Sequence, residues 1–99
     1  MHIKIKDILN SLKDVKFIGD VSNVQKIVSF YSLDSREINV KNSEISLYFA
    51  YKGDRVDGFF FVKYLIDIGV KCFVCSKDRE FLCIEYLNKD KDLIFFANY

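Results

Sequence analysis

The stretch Tyr48-Phe-Ala-Tyr-Lys-Gly-Asp-Arg-Val-Asp-Gly-Phe-Phe-Phe-Val62 decides the fold of this chain. An apolar run ends at Lys52-Gly53, a charged segment follows, and a second apolar run with a different spacing begins after Asp57-Gly58. This order predicts a strand, a tight polar loop and a helix. Because open α/β sheets bind ligands at the carboxyl ends of their strands, the loop from Gly53 to Gly58 is a candidate ligand site.

A second polar element, Asp34-Ser35-Arg36, closes the preceding apolar run from Lys26 to Leu33, which predicts a strand. Asp34 and Ser35 can cap a turn while Arg36 pairs with a nearby acid on the surface. Alternatively, the Ser35 hydroxyl and backbone N–H groups at the strand end bind a polar ligand. Composition alone favours the turn, and a capped loop likewise explains every residue from Lys52 to Gly58.

The remaining segments predict an α/β fold, a small mixed sheet of about five strands with two to three helices packed on it. The stripe of Ile5, Ile8, Leu9 and Leu12 predicts a helix over residues 4–13. A helix over 59–68 is predicted with Asp57 as its N-cap and Gly69 at its end. The other predictions are strands at 15–18, 45–51, 70–75 and 93–97, a helix at 78–87, and turns or loops at 20–24, 39–44 and 88–92. Strand 45–51 is expected inside the sheet, with 70–75 as a parallel neighbour.

Length and charge exclude several classes of function. Ninety-nine residues, 51% of them hydrophobic, make one folded domain. The net charge is +1 with basic and acidic residues interspersed, so we expect no nucleic-acid partner. The longest apolar runs are too short to span a bilayer, and no signal peptide is evident, so we expect no membrane partner. Three cysteines, an odd number, fit a reducing, cytoplasmic location.

The cysteines and the single histidine are better explained as structural or surface residues than as parts of a reactive site. Cys72 and Cys75 form a C-x-x-C within an apolar strand, where residues three apart face opposite sides, and Cys83 is isolated. We therefore expect buried structural cysteines and no metal site. His2, the only histidine, is expected at the surface, so no Ser-His-Asp or Cys-His site is expected. No phosphate-binding glycine-rich loop occurs in the sequence.

Phe60 and Tyr64 fall off the apolar stripe of the 59–68 helix. An exposed aromatic pair there is either a contact surface for another domain or a pair of ordinary half-exposed side chains.

Taken together and in this order, the two polar elements resemble the N-terminal domain of the bacterial Mur ligases. In that family a strand ends in Asp-Ser-Arg, and a stretch like Phe-Val-Ala-Leu-Lys-Gly-Glu-Arg-x-Asp-Gly-His-Asp-Phe follows, then a helix ending in Gly-Ala and a Val-rich strand. The corresponding residues here are Asp34-Ser35-Arg36, Tyr48 to Gly58, Phe61, Gly69-Val70 and Phe73-Val74. The resemblance covers about residues 25–76 and, more loosely, the N-terminal helix.

The resemblance implies that residues 1–99 are the N-terminal domain of a three-domain ligase and anchor the UDP part of a UDP-N-acetylmuramoyl-peptide. It implies that Ser35 contacts the UDP end and that Gly53, Asp54, Arg55 and Val56 flank the uracil. Asp34, Arg36, Lys52, Asp57 and Gly58 would shape the two loops. ATP and Mg would belong to a central domain of the same polypeptide, absent here, so no catalytic residue, cofactor or metal is expected in this chain.

The sequence departs from the family pattern at several positions. Phe59-Phe60 replaces the family's His-Asp, Asn42-Ser43-Glu44 replaces a Pro-Gly-Asp, and segment 78–92 is longer and more charged. Two ligase types share this domain, and the Lys52-to-Arg55 stretch is slightly more similar to the type that adds D-alanyl-D-alanine than to the type that adds the third residue. The remaining alternative is a non-catalytic protein-interaction module of the same fold, similar to the N-terminal domain of HPr kinases.

Overall fold

A computed structural model describes residues 2–11 and 14–98 of the chain. Its centre is a five-stranded mixed sheet. The strands are β2 (Val15–Gly19), β4 (Phe30–Ser32), β5 (Ser46–Ala50), β6 (Cys72–Ser76) and β7 (Ile94–Asn98), in the spatial order β2-β7-β6-β5-β4. The four strands from β4 to β7 are parallel, and β2 pairs antiparallel with β7.

Three α-helices and a small two-stranded sheet cover this central sheet. The helices are α1 (Ile5–Ser11), α2 (Val62–Asp67) and α3 (Glu80–Lys89), and β1 (Ile3–Lys4) pairs antiparallel with β3 (Ile27–Val28). Short 3-10 turns lie at Val21–Gln25, Ser35–Glu37, Ser43–Ile45, Gly58–Phe61 and Lys77–Arg79. The predicted α/β class, with a mixed sheet of five strands and two to three helices, is confirmed. None of the helices in the described part is long and apolar enough to cross a membrane.

Alternation along the strands divides the core between the two faces of the sheet. Tyr48, Phe73 and Phe95 lie on one face and pack with residues of α2 and α3, such as Leu65 and Cys83. The opposite face packs against Ile5 and Val28 through a second set of strand residues, Leu47, Val74 and Phe96. Both faces of the sheet are therefore covered, which explains the nearly unbroken apolar sequences of β5, β6 and β7.

The parallel register places the ends of β4 and β5 side by side. Ser32, the last residue of β4, is the register partner of Tyr48 in β5. The polar elements predicted from the sequence follow these two strands, so both begin at the same edge of the sheet. This edge is the usual ligand-binding position in open α/β sheets.

The single strand predicted from Lys26 to Leu33 is wrong, because the segment contributes to two sheets. Ile27 and Val28 pair with β1, whereas Phe30 to Ser32 pair with β5. Ser29 lies between them, and its N–H donates to the Ile45 carbonyl oxygen at 2.9 Å. Composition cannot reveal such a break, because each half contains the β-branched and aromatic residues that favour strands.

Helix boundaries also differ from the predictions. The 59–68 helix begins as the 3-10 turn Gly58–Phe61 and becomes α-helical only at Val62. The helix predicted at 78–87 is confirmed, but it runs from Glu80 to Lys89 after a 3-10 turn, so the predicted turn at 88–92 is shorter. The N-terminal helix is confirmed as α1, and its predicted last residues 12 and 13 lie outside the described part.

Gly69 ends the α2 segment as predicted. Its φ is +111°, and a Cβ at this position would lie 2.8 Å from the Ser43 hydroxyl oxygen. Any other residue would therefore meet backbone strain at this helix end, and the Ser43 hydroxyl would have to move to admit its Cβ.

Phe73 is expected to contribute more to stability than any exposed phenylalanine. It is fully buried, and its ring stacks on Phe95 with centroids 5.3 Å apart. Phe73→Ala should lower the free energy of unfolding by about 3–5 kcal/mol, measured by urea denaturation. The matched control is Phe60→Ala, because Phe60 is 79% exposed and its loss should change stability by less than about 0.5 kcal/mol. Equal losses in the two variants would contradict the assignment of the core.

Candidate functional site

A cleft of about 860 Å³ lies at the carboxyl ends of β4 and β5. It is formed by the two strand ends, the loops that follow them and the start of the 3-10 turn before α2. Its lining residues are Leu33, Asp34, Ser35, Arg36, Tyr48, Phe49, Tyr51, Lys52, Gly53, Arg55, Val56, Gly58 and Phe61. The cleft has the size of a small-ligand site and the position expected in this fold class.

The first loop is a turn built around the Asp34 carboxylate. Its Oδ1 accepts from the Arg36 N–H at 2.9 Å, and the Arg36 guanidinium donates to the same carboxylate through Nε and, at 2.8 Å, through Nη2. The Ser32 hydroxyl accepts from the Asp34 N–H at 2.9 Å. These contacts hold the turn rigidly, and the hydrogen bonds from Arg36 lower the pKa of Asp34 from its ordinary 3.8 to about 2.

This turn fixes the position of Ser35, whose hydroxyl takes no part in the hydrogen bonds just described. Its hydroxyl is half-buried in the cleft wall and makes no hydrogen bond with any residue that the structure describes. The hydroxyl can therefore donate to, or accept from, a ligand in the cleft.

The second loop is a tight reversal between Lys52 and Asp57, which face each other as an antiparallel bridge. The Gly53 N–H donates to the Val56 carbonyl oxygen at 2.8 Å, which closes the reversal around Asp54 and Arg55. Arg55 lines the cleft, and its guanidinium makes no ion pair or hydrogen bond with the rest of the described chain.

Gly58 joins this loop to the sheet by an unusually close approach. Its N–H donates to the Tyr51 carbonyl oxygen at 2.9 Å, and its own carbonyl accepts from the Tyr48 hydroxyl at 2.9 Å. A Cβ here would lie 2.8 Å from the Tyr51 oxygen and 3.0 Å from the Tyr48 hydroxyl, so only glycine fits. Burial raises the pKa of Tyr48, which keeps the hydroxyl protonated as the donor.

Asp57 acts on the loop from outside the cleft. Its Oδ1 accepts from the Phe59 N–H at 3.0 Å and caps the 3-10 turn, as the sequence predicted. Its second oxygen pairs with Arg79, which precedes α3. The hydrogen bond from Arg79 is the main cause of the lowered pKa of Asp57.

Charge and shape together favour a ligand that has an anionic part and a flat apolar part. Arg36, Lys52 and Arg55 line the cleft with a single carboxylate, Asp34, so cations exceed anions by two. The remaining wall is apolar, and the apolar and aromatic residues that form it are Leu33, Phe49, Tyr51, Val56 and Phe61. Such an arrangement attracts phosphate groups and can hold a planar ring.

Comparison with known proteins identifies the family. A model described as "Mur ligase family, catalytic domain" matches residues 27–91, about two thirds of the chain. The chain belongs to the Mur ligase family. A relative from Borreliella burgdorferi (strain B31), named UDP-N-acetylmuramoyl-tripeptide–D-alanyl-D-alanine ligase, is 65% identical over 95 residues.

The match to that relative covers 96% of this chain but only 20% of the relative, so the chain spans a fifth of its length. No solved structure gives a significant match. The resemblance drawn from Asp34-Ser35-Arg36 and the Tyr48-to-Gly58 stretch is confirmed at the level of the family.

The structure of this Mur ligase family member brings most of the predicted site residues into one cleft. Eight of them line it, namely Asp34, Ser35, Arg36, Lys52, Gly53, Arg55, Val56 and Gly58. Asp54 is exposed at the tip of the loop, and Asp57 faces Arg79, so neither lines the cleft. The sequence prediction assigned a binding role to Val56 but not to the other apolar and aromatic wall residues. Phe49 and Tyr51, which are two residues apart at the end of β5, lie on the same face of the sheet.

The cysteines are structural, with one correction. Cys72 and Cys75 lie in the cores on opposite faces of the sheet, as predicted. Cys83 is not isolated, because α3 packs on β6 and brings its Sγ to 3.1 Å from the Cys75 Sγ. Within residues 2–11 and 14–98, no group of three or more His, Cys, Asp or Glu side chains could hold a metal ion.

Two surface predictions are confirmed. His2 is exposed, and its Nδ1 lies at hydrogen-bonding distance from the Ser29 hydroxyl. Phe60 and Tyr64 are exposed on α2 and the turn that precedes it, at 79% and 56%.

The first loop should keep its shape far into the acid range. Because the pKa of Asp34 is lowered in the folded state, its contribution to stability is present above its ordinary pKa of 3.8 and is lost as the pH falls toward 2. A carboxyl carbon NMR titration should give a pKa of about 2 for Asp34. Arg36→Gln should move it back toward 3.8.

Arg55→Gln is the matched control for this titration, because it removes from the same cleft a guanidinium that forms no ion pair within the described residues. It should shift the Asp34 pKa far less than Arg36→Gln. Equal shifts would contradict the direct Asp34–Arg36 contact as the cause.

Proposed function

We propose that this chain is the N-terminal domain of a ligase that joins D-alanyl-D-alanine to a UDP-N-acetylmuramoyl-tripeptide, and that its cleft anchors the UDP end of that substrate. The observation that carries the proposal is the meeting of the two family elements in one cleft that has excess positive charge and an apolar wall. Nucleoside diphosphates combine the two properties that such a cleft complements.

The proposed contacts follow from the groups that remain available in the cleft. Ser35 would contact the diphosphate end with its unused hydroxyl, and the turn closed by Asp34 and Arg36 would hold it in place. Of the loop residues predicted to flank the uracil, Gly53, Arg55 and Val56 line the cleft and would do so, whereas Asp54 lies at the loop tip outside it. The Gly53 N–H is already bonded to Val56, so its contribution is the shape of the loop.

In this proposal the chain supplies binding and orientation, while bond formation occurs elsewhere. ATP, Mg and the incoming dipeptide would be bound by other domains of the ligase, which correspond to the part of the relative that the match does not cover. Anchoring one end of a long substrate can fix the geometry of its distant reacting carboxylate. The two proposed partners are thus the central ATP-binding domain and the UDP-N-acetylmuramoyl-peptide. The proposed location is the cytoplasm.

The choice between the two ligase types rests on the relative. Its printed name specifies the tripeptide substrate and D-alanyl-D-alanine, and 65% identity over nearly the whole chain favours that type over the one that adds the third residue. The exposed Phe60 and Tyr64 are the one observation that favours the interaction-module alternative. The same pair is equally compatible with a contact to a neighbouring domain of the ligase.

Titration of the isotope-labelled chain with UDP tests the proposal. Backbone amide resonances of Ser35 and of Gly53 to Gly58 should move progressively up to millimolar ligand. Ser35→Ala should weaken binding about fivefold, the effect of losing one hydrogen bond. The control is Ser22→Ala, because the turn Val21–Gln25 follows β2 at the opposite edge of the sheet.

Movement of the cleft resonances with UDP but not with uridine would assign the affinity to the phosphates. A folded chain whose cleft amides stay unmoved at millimolar UDP would contradict a binding site formed by this chain.

A further inference from the structure

Arg79 connects the carboxyl end of β6, the strand next to β5, to the second loop of the cleft. It ends the 3-10 turn Lys77–Arg79 that follows β6, and its guanidinium reaches Asp57, which is 22 residues earlier in the sequence. The two side chains are only 24% and 12% exposed, in contrast to the Arg36–Asp34 pair, where Arg36 is 88% exposed. Ion pairs so shielded from water are screened less than exposed ones.

The aromatic ring of Phe59 also contacts the Arg79 side chain. The Arg79 guanidinium carbon lies 5.2 Å from the centroid of the Phe59 ring, and Phe59 itself is buried. A planar guanidinium can donate to a carboxylate and rest on an aromatic face at the same time, which a lysine ammonium does less well. Phe59 occupies one of the positions where the sequence departs from the family pattern, so the aromatic support for Arg79 belongs to this departure.

Asp57 links the Arg79 ion pair to the backbone of the loop that lines the cleft. The same carboxylate that pairs with Arg79 caps the Phe59 N–H, and Asp57 is the bridge partner of Lys52 across the loop. The adjacent Gly58 is bonded to Tyr51. Any change in the position of Asp57 therefore changes the loop residues that line the cleft.

We propose that Arg79 is a positioning residue for ligand binding in this cleft, acting through Asp57 on the loop from Lys52 to Gly58. It does not line the cleft and would touch no ligand. The inference rests on the proposed function for the identity of the ligand, but the effect of Arg79 on the loop can be measured without any ligand.

The test compares Arg79→Met and Arg79→Lys with the control Lys71→Met. Lys71 forms a half-buried ion pair with Asp90, 2.9 Å long, at the other end of α3, so its loss removes a comparable contact remote from the cleft. Three quantities are measured in each variant. They are the dissociation constant for UDP, the amide resonances of Gly53 to Gly58 without ligand, and the pKa of Asp57.

Arg79→Met should weaken UDP binding about tenfold, because it leaves a shielded carboxylate without its cation. The loop amides should shift before any UDP is added, and the pKa of Asp57 should rise toward its ordinary value of 3.8. UDP binding should then decline as the pH falls through that raised pKa, because the protonated carboxyl is a weaker cap. Arg79→Lys should recover part of the affinity, and Lys71→Met should leave it within about twofold.

Unchanged loop amides and an unchanged UDP affinity in Arg79→Met would overturn the inference. An equal loss of affinity in Lys71→Met would also overturn it, because the cause would then be general destabilisation. If the unmodified chain fails to bind UDP, the proposed function fails, and the inference for ligand binding falls with it. The loop amides and the Asp57 pKa would still show whether Arg79 holds the loop.

Discussion

The close approach of Gly58 to the end of β5 is the constraint on which the cleft depends. Two hydrogen bonds of 2.9 Å hold this residue, one from its N–H to Tyr51 and one from the Tyr48 hydroxyl to its carbonyl. A Cβ on Gly58 would lie only 2.8 Å from the Tyr51 carbonyl oxygen, so no other residue fits there. The chain must therefore reverse within the Lys52-to-Asp57 loop and enter the 3-10 turn at once, which places the loop beside the turn that follows β4.

The core beneath this junction makes the constraint rigid. Tyr48 is buried, and its ring meets Phe73 edge to face with centroids 6.3 Å apart, while Phe73 stacks on Phe95. The hydroxyl that holds Gly58 is thus the polar end of a side chain fixed within the sheet. A tyrosine in this position can join an apolar core to a backbone carbonyl at the surface. The position of the cleft loop is consequently set by packing in β5, β6 and β7.

The sequence predicts the features that local patterns determine. Residue type and spacing predict the apolar strand at 45–51, the glycine that stops α2 and the Asp57 cap. The joining of both polar elements in one site was implied only by the family resemblance. The features that the sequence misses depend on partners remote in sequence. No local pattern shows that the 26–33 segment is divided between two sheets. Nor does one show that Cys83 contacts Cys75 or that Arg79 pairs with Asp57.

The electrostatics of the cleft show the same dependence on tertiary structure. The whole chain has a net charge of only +1 with its charges interspersed, which argues against a strongly charged partner such as nucleic acid. The fold nevertheless collects three cations and one carboxylate around a single cleft and directs the Asp57 carboxylate away toward Arg79. A small anion responds to the local field, whereas an extended polyanion requires a broad basic surface. A nearly neutral chain can therefore favour a diphosphate without favouring nucleic acid, because folding, and not composition, sets the charge that the ligand meets.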